Sequence, residues 1–240
     1  MPGTPDALAP ARALRYTRAM RMTLPNALTV FRLWAAPGVV LAFLVLPRPY
    51  ADWTALSLFI LASVTDYLDG YLARKWGQVT KLGTMLDPIA DKAMVVLALA
   101  VVLALNGAMP VLLVPVTIIL FREVFVSGLR EFLGDTAGTL AVTKLAKWKT
   151  TVQMLAIALL FAWGLFDHYF YMQVLGMDPG IVGGILSGEI ADDVGLNWKR
   201  WGLLITSNGG ILLLWAAALL TLITGIDYYR KARPHLQEGP

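Results

Sequence analysis

The chain has 240 residues, of which 58% are hydrophobic and 15% charged, with a formal net charge of +4 at pH 7. Soluble domains run about 45–50% apolar and about 25% charged, so an ordinary soluble globule is excluded and an integral membrane protein of one domain is indicated. There is no cysteine, which excludes disulfides.

Residues 1–24 hold Arg12, Arg15, Arg18 and Arg21 but no apolar core segment, which argues against a cleaved signal peptide. Pro2, Pro5 and Pro10 predict a frayed start. Residues 11–22 then read as a basic amphipathic helix on an anionic leaflet or as a disordered basic tail. Six apolar runs follow, at about 27–46, 53–74, 84–106, 109–132, 147–167 and 202–226, each long enough to cross a bilayer as a helix. Gly107 and Pro110 punctuate a tight turn between the third and fourth. The segment of about 168–201 is Gly-rich and acidic (Asp178, Glu189, Asp192, Asp193) and reads as a solvated loop with room for a short surface helix. His168 and His235 stand alone and are expected to be structural or solvated. The expected fold is an all-α integral membrane protein: a basic juxtamembrane segment (1–24), a domain of six transmembrane helices (25–232) and a tail (233–240). No internal repeat is evident.

The basic residues orient this bundle. With the N-terminus on the inner side, all of the 20 Lys and Arg except Arg48, Lys199 and Arg200 fall on that side or at helix ends facing it. Both termini and the acidic window described next are therefore expected to face the cytoplasm. No nucleic-acid partner is expected.

The window runs Asp66-Tyr-Leu-Asp69-Gly70-Tyr-Leu-Ala73-Arg74, then reaches Gly83, Asp87 and Asp91. Asp66 and Asp69 are three apart and Asp87 and Asp91 four apart, so each pair shares a helix face. A carboxylate deep in a bilayer costs roughly 2.5–3.5 kcal/mol on insertion scales. Four acids so close to apolar runs call for a divalent metal, water or a ligand. Oxygen-only ligands favour hard cations such as Mg²⁺, Mn²⁺ or Ca²⁺, and two pairs on facing helices could hold two ions acting on a phosphoryl displacement. Gly70 and Ala73 remove bulk beside Asp69, Gly83 does so before the third helix, and Arg74 supplies a fixed cation for phosphate.

This D-x-x-D-G-x-x-A-R…G-x-x-x-D-x-x-x-D pattern resembles the signature of the CDP-alcohol phosphotransferases, with every position filled. The resemblance implies a six-helix fold, a homodimer, a polar cavity open to the cytoplasm of a bacterial inner membrane, and a divalent cofactor, Mg²⁺ or Mn²⁺, as two ions. It implies that Asp66, Asp69 and Asp87 ligate metal and position the CDP pyrophosphate. Asp91 would complete the metal site and act as general base on the acceptor hydroxyl. Gly70, Ala73, Arg74 and Gly83 would shape the cytidine pocket. The opening Pro25-Asn26-Ala-Leu-Thr29-Val-Phe-Arg32 recurs in the family, which adds Asn26 and Thr29 as CDP-binding residues. The plain alternative there is a helix cap, with Arg32 snorkelling to headgroups.

A second stretch bears on the acceptor. Arg122-Glu123…Arg130-Glu131 is followed by Lys144, Lys147, Trp148, Lys149 and Thr150. Arg122 and Arg130 are eight apart and share a face. The segment looks like the corresponding region of the bacterial phosphatidylglycerophosphate synthases, whose donor is CDP-diacylglycerol and whose acceptor is sn-glycerol 3-phosphate. Arg122, Arg130, Lys144 and Lys149 are the expected acceptor-phosphate pocket. The plain alternative is positive-inside charge meeting anionic membrane lipids. Other acceptors (serine, inositol or inositol phosphate, phosphatidylglycerol) stay open. So do two other classes: intramembrane prenyltransferases, whose Asp motifs usually lie far apart, and ion transporters, whose sites usually sit at the midplane among repeats or broken helices.

Overall fold

A computed structural model of the chain describes residues 23–76, 80–134 and 144–236. The described chain is helical: α1 (Leu24–Val45), α2 (Tyr50–Trp76), α3 (Lys81–Asn106), α4 (Pro110–Leu133), α5 (Lys144–Val174), α6 (Pro179–Ser187) and α7 (Leu196–Ala232), closed by a 3₁₀ turn at Arg233–His235. The expectation for residues 11–22 lies outside the described residues.

Local chemistry sets several helix ends. Thr23 caps α1, with Pro25 in its first turn, where a missing N–H loses nothing. Thr80 caps α3, its hydroxyl accepting from the Gly83 N–H at 3.0 Å. Gly107 turns the chain at φ 72° before Pro110 opens α4, as the Gly-Pro punctuation predicts.

Among the described residues five helices, α1, α3, α4, α5 and α7, are long and apolar enough to cross a membrane. The sequence predicts six. The sixth predicted run falls in α2, 27 residues long, whose later part lies largely outside the described residues. A second difference concerns the 168–201 segment. Helix α5 runs on to Val174 and α7 begins at Leu196, so only the stretch between them is loop, and it contains α6. Two of the four acids that read as loop, Asp178 and Asp192, are helix caps. Asp178 accepts from the Gly180 N–H at 2.7 Å to start α6. Asp192 accepts from the Leu196 and Asn197 N–H groups at 2.7 and 2.8 Å to start α7.

Helix α1 packs against α2 and α3, and α7 packs against α5 and α4. Small buried residues (Ala35, Ala36, Ala55, Ala62, Ala98, Ala217) let the backbones approach. A Cβ on Gly210 would stand 2.9 Å from the Leu160 side chain, so α7 approaches α5 closely there. Phe59 and Phe161, edge to face at 5.7 Å, join the two halves through α2 and α5. Large apolar side chains such as Trp34, Leu44, Phe121 and Phe132 point outward and are exposed, while Asn26, Arg32, Lys149 and Gln153 are buried. This inverts the pattern of a soluble helix bundle and matches a lipid-facing exterior.

The topology gathers the chemistry at one end, where α1, α3 and α5 begin and α2, α4 and α7 finish. The opposite end is closed by Arg48, whose guanidinium donates to both carboxylate oxygens of Asp52 at 2.8 and 2.6 Å. That pairing holds the Arg48 guanidinium above its usual pKa. A pocket of about 90 Å³ lies there, lined in part by Arg48, Asp52, Asn106, Gly164 and Asp167.

Candidate active site

The centre of the acidic window is a cation, Arg32, to which the sequence assigned no role beyond its place in the family-like opening of α1 and the snorkelling alternative. Arg32, on α1, is 2% exposed. Its guanidinium pairs with Asp66 of α2 and reaches Asp91 at 2.7 Å and Asp87 at 3.6 Å on α3. The snorkelling alternative is therefore corrected: Arg32 points inward and binds three carboxylates from two other helices. Thr29 sits one turn earlier, with its hydroxyl 2.7 Å from Asp87 Oδ1. Asn26 lies a further turn back, its side-chain carbonyl accepting from the Thr80 hydroxyl at 2.7 Å. Asn26, Thr29 and Arg32 thus form one buried stripe of α1 that fastens α1 to α3 and, through Arg32, to α2. The helix cap proper is Thr23, not Asn26.

Gly83 has a specific neighbour. A Cβ there would meet Asn26 Oδ1 at 2.8 Å and Thr80 Oγ1 at 3.2 Å. The missing side chain makes room for the Asn26–Thr80 pair, which the sequence does not reveal.

Asp66, Asp87 and Asp91 are 39%, 46% and 46% exposed at their side chains, so one face of the cluster opens outward while Arg32 closes the other. Among the described residues no three acids are gathered closely enough to hold a metal ion by themselves. Beyond their places in α2 and α5, Asp69, Gly70, Ala73, Arg74 and Lys144 lie outside the described residues. The donor chemistry nonetheless suits a hard divalent cation: the ligands are all oxygen, they converge from two helices on one cation, and a single guanidinium cannot neutralise three carboxylates.

The second cluster lies beside the first. Glu123 of α4 pairs with Lys149 of α5 and with its neighbour Arg122 at 3.3 Å. Arg122 also donates to Thr224 Oγ1 of α7 at 3.4 Å, with its stem packed where a Cβ on Gly225 would clash. Arg130, two turns on, lies over the Tyr228 ring at 5.2 Å. Arg122, Lys149 and Arg130 are close enough to feel one another's charge, and Glu123 lies within electrostatic reach of Asp91. The structure therefore brings together three of the four expected cations and sets them next to the acids. Glu123, which the sequence reading passed over, is the anion that lets Lys149 stay 7% exposed.

A match to the CDP-alcohol phosphatidyltransferase family covers residues 22–179. Among curated proteins, the chain is 54% identical over 219 residues to a CDP-diacylglycerol–glycerol-3-phosphate 3-phosphatidyltransferase of Cereibacter sphaeroides, covering 91% of this chain and 99% of that one. Proteins of the same name from Rickettsia bellii and Haemophilus influenzae are 35% and 34% identical, covering 88% and 92% of this chain and 96% and 98% of theirs.

Proposed function

Because the chain belongs to the CDP-alcohol phosphatidyltransferase family, we propose that its two clusters perform one reaction. The phosphatidyl group of CDP-diacylglycerol passes to the primary hydroxyl of sn-glycerol 3-phosphate, giving phosphatidylglycerol phosphate and CMP. The observation that carries this reading is the adjacency of the Asp66–Asp87–Asp91 set to the Arg122–Lys149–Arg130 set at one end of the bundle.

In this reading the acceptor's phosphate dianion sits among Arg130, Arg122, Lys149 and Lys144. Its primary hydroxyl then lies toward Asp91. The hydroxyl oxygen forms a bond to the phosphatidyl phosphorus, the bond from that phosphorus to the CMP oxygen breaks, and the hydroxyl proton goes to the Asp91 carboxylate. Arg32 keeps Asp91 and Asp66 fixed in direction while this happens. A divalent cation held by Asp66, Asp69, Asp87 and Asp91 would neutralise charge on the phosphoryl oxygens when bound; the resemblance implies two ions of Mg²⁺ or Mn²⁺. Asn26, Thr29, Gly70, Ala73, Arg74 and Gly83 complete the nucleotide side. For Asn26, Thr29 and Gly83 the role is to shape its wall through the α1–α3 pairing.

We further assign residues 25–232 as the catalytic domain, with α2 as its sixth crossing and the site and both termini on the cytoplasmic side of a bacterial inner membrane. The lipid tails of the donor then remain in the bilayer while sn-glycerol 3-phosphate enters from the cytosol. The homodimer implied by the resemblance belongs to this proposal and is tested by mass in detergent.

The experiment is CMP release by the purified protein with CDP-diacylglycerol and Mg²⁺ or Mn²⁺, comparing acceptors. Release that depends on sn-glycerol 3-phosphate is the expected result; release only with serine or inositol would keep the acidic site and sink the acceptor assignment. Replacing Asp91 by Asn should lower turnover by about 10²-fold or more without changing the melting temperature by more than a few degrees. Retained turnover would remove Asp91 as the base.

A further inference from the structure

Helices α4, α5 and α7 carry buried polar atoms that no described residue satisfies. These are Gln153 Oε1 on α5, Thr221 Oγ1 and the Tyr228 hydroxyl on α7, and Arg122 Nε on α4. Gln153 is 3% exposed, Thr221 0% and Tyr228 7%. An unmet buried polar group is costly, and a native fold holds few of them, so several on the three helices that bear the basic cluster need an explanation.

Their placement supplies it. Gln153 lies one turn beyond Lys149 on α5. Thr221 and Tyr228 lie one turn to either side of Thr224 and Gly225, the residues against which Arg122 packs. Other threonines of α7 return their hydroxyls to their own helix: Thr206 to Gly202 O at 2.7 Å and Thr224 to Leu220 O at 2.8 Å. Thr221 does not. Tyr228 is covered by Arg130, an exposed side chain crossing its ring at 5.2 Å. An Arg130 drawn onto an anion would uncover the tyrosine.

We propose that Gln153 and Tyr228 are specificity-determining residues that read the non-reacting hydroxyl of the acceptor, with Thr221 beside them, so that the pocket selects a phosphorylated polyol over an amino alcohol. This inference rests on the reaction proposed above. A hydroxyl both donates and accepts. Gln153 Oε1 accepts, and Tyr228 can donate. An ammonium group would need a carboxylate, and among the described residues the carboxylate paired within this cluster, Glu123, is committed to Lys149 and Arg122.

The test compares sn-glycerol 3-phosphate with 3-hydroxypropyl phosphate, which keeps the phosphate and the primary hydroxyl but lacks the middle one. The wild type should prefer the first by about ten-fold or more in kcat/KM, on the scale of one hydrogen bond in a closed site. In Tyr228→Phe and in Gln153→Met that preference should fall to about two-fold, with the KM for CDP-diacylglycerol unchanged. In the absence of ligand neither variant should melt below the wild type, because each removes an unsatisfied atom and keeps the shape. A wild-type-like preference in both variants, or a melting temperature lowered by several degrees, would overturn the inference while leaving the reaction standing. A wild type that releases no CMP with either phosphate would overturn the reaction and this inference with it.

Discussion

Arg32 shows how much a single residue's role depends on where its helix goes. An arginine near a helix start reads as an interfacial anchor, and only the meeting of α1, α2 and α3 shows that it is buried beneath three acids. A weaker signal was present: Asn26, Thr29 and Arg32 recur every three residues, which puts them on one face. Removing the guanidinium in Arg32→Met leaves Asp66, Asp87 and Asp91 facing one another. Breaking a fully buried ion pair costs about 3–5 kcal/mol. These acids are 39–46% exposed, so a loss of about 1–3 kcal/mol is expected, discounted for solvent screening. The same variant should be stabilised by added Mg²⁺ more than the wild type is. Thermal unfolding in detergent with and without Mg²⁺ measures both effects, and equal melting behaviour of the two proteins would sink the role given to Arg32. Gly83 teaches the complementary lesson. Its position in the motif is legible, but the neighbour that requires it, Asn26, is 57 positions away in the chain.

At the level of elements, apolar run length located every long helix, and it failed where polar residues serve helix ends. Asp192 looks like loop acid in the chain, yet it accepts from two backbone N–H groups of the first turn of α7. Those bonds, from Asn197 first and Leu196 next, hold its carboxyl below the usual pKa. A carboxylate with a depressed folded pKa contributes stability that is fully present above the unfolded value, about 3.9, and is lost as pH falls through the folded value. Amide exchange at Leu196 and Asn197 should therefore stay slow from neutral pH down to the ordinary carboxylate range and quicken only below it. In Asp192→Ala it should already be fast at pH 7, with the buried middle of α5 unaffected. Unchanged exchange in the variant would show that the αL turn at Gly195, φ 68°, starts the helix unaided. The overrun of α5 past its predicted end has a similar origin. Asp167 and His168 interrupt the apolar run, but at a helix terminus they can face water while the backbone continues.

Across the whole molecule, hydrophobic side chains cover the flanks and charges collect at the two ends. Charge patterning in the sequence points to a one-sided excess of basic residues, an expectation about the inner face. It did not predict that a buried carboxylate, Asp52 at 1% exposed, closes the other end with Arg48. An acid in the first turn of α2 reads simply as a helix-dipole partner. The same helix carries Asp66 and Asp69 near its other end, beyond an apolar run that opens just after Asp52. The consequence reaches beyond the folded state to biogenesis. Offered alone to the insertion machinery, α2 should enter the bilayer poorly, since an acid weighs against it by up to about 2.5–3.5 kcal/mol, the figure for the bilayer centre. Offered together with α1, whose Arg32 can pair with Asp66, it should enter as a hairpin, and glycosylation mapping of the two segments would register the difference. Arg32→Met should then impair insertion of the pair while leaving α1 alone unimpaired. The residue that organises the acids in the finished protein would thus also escort their helix into the membrane.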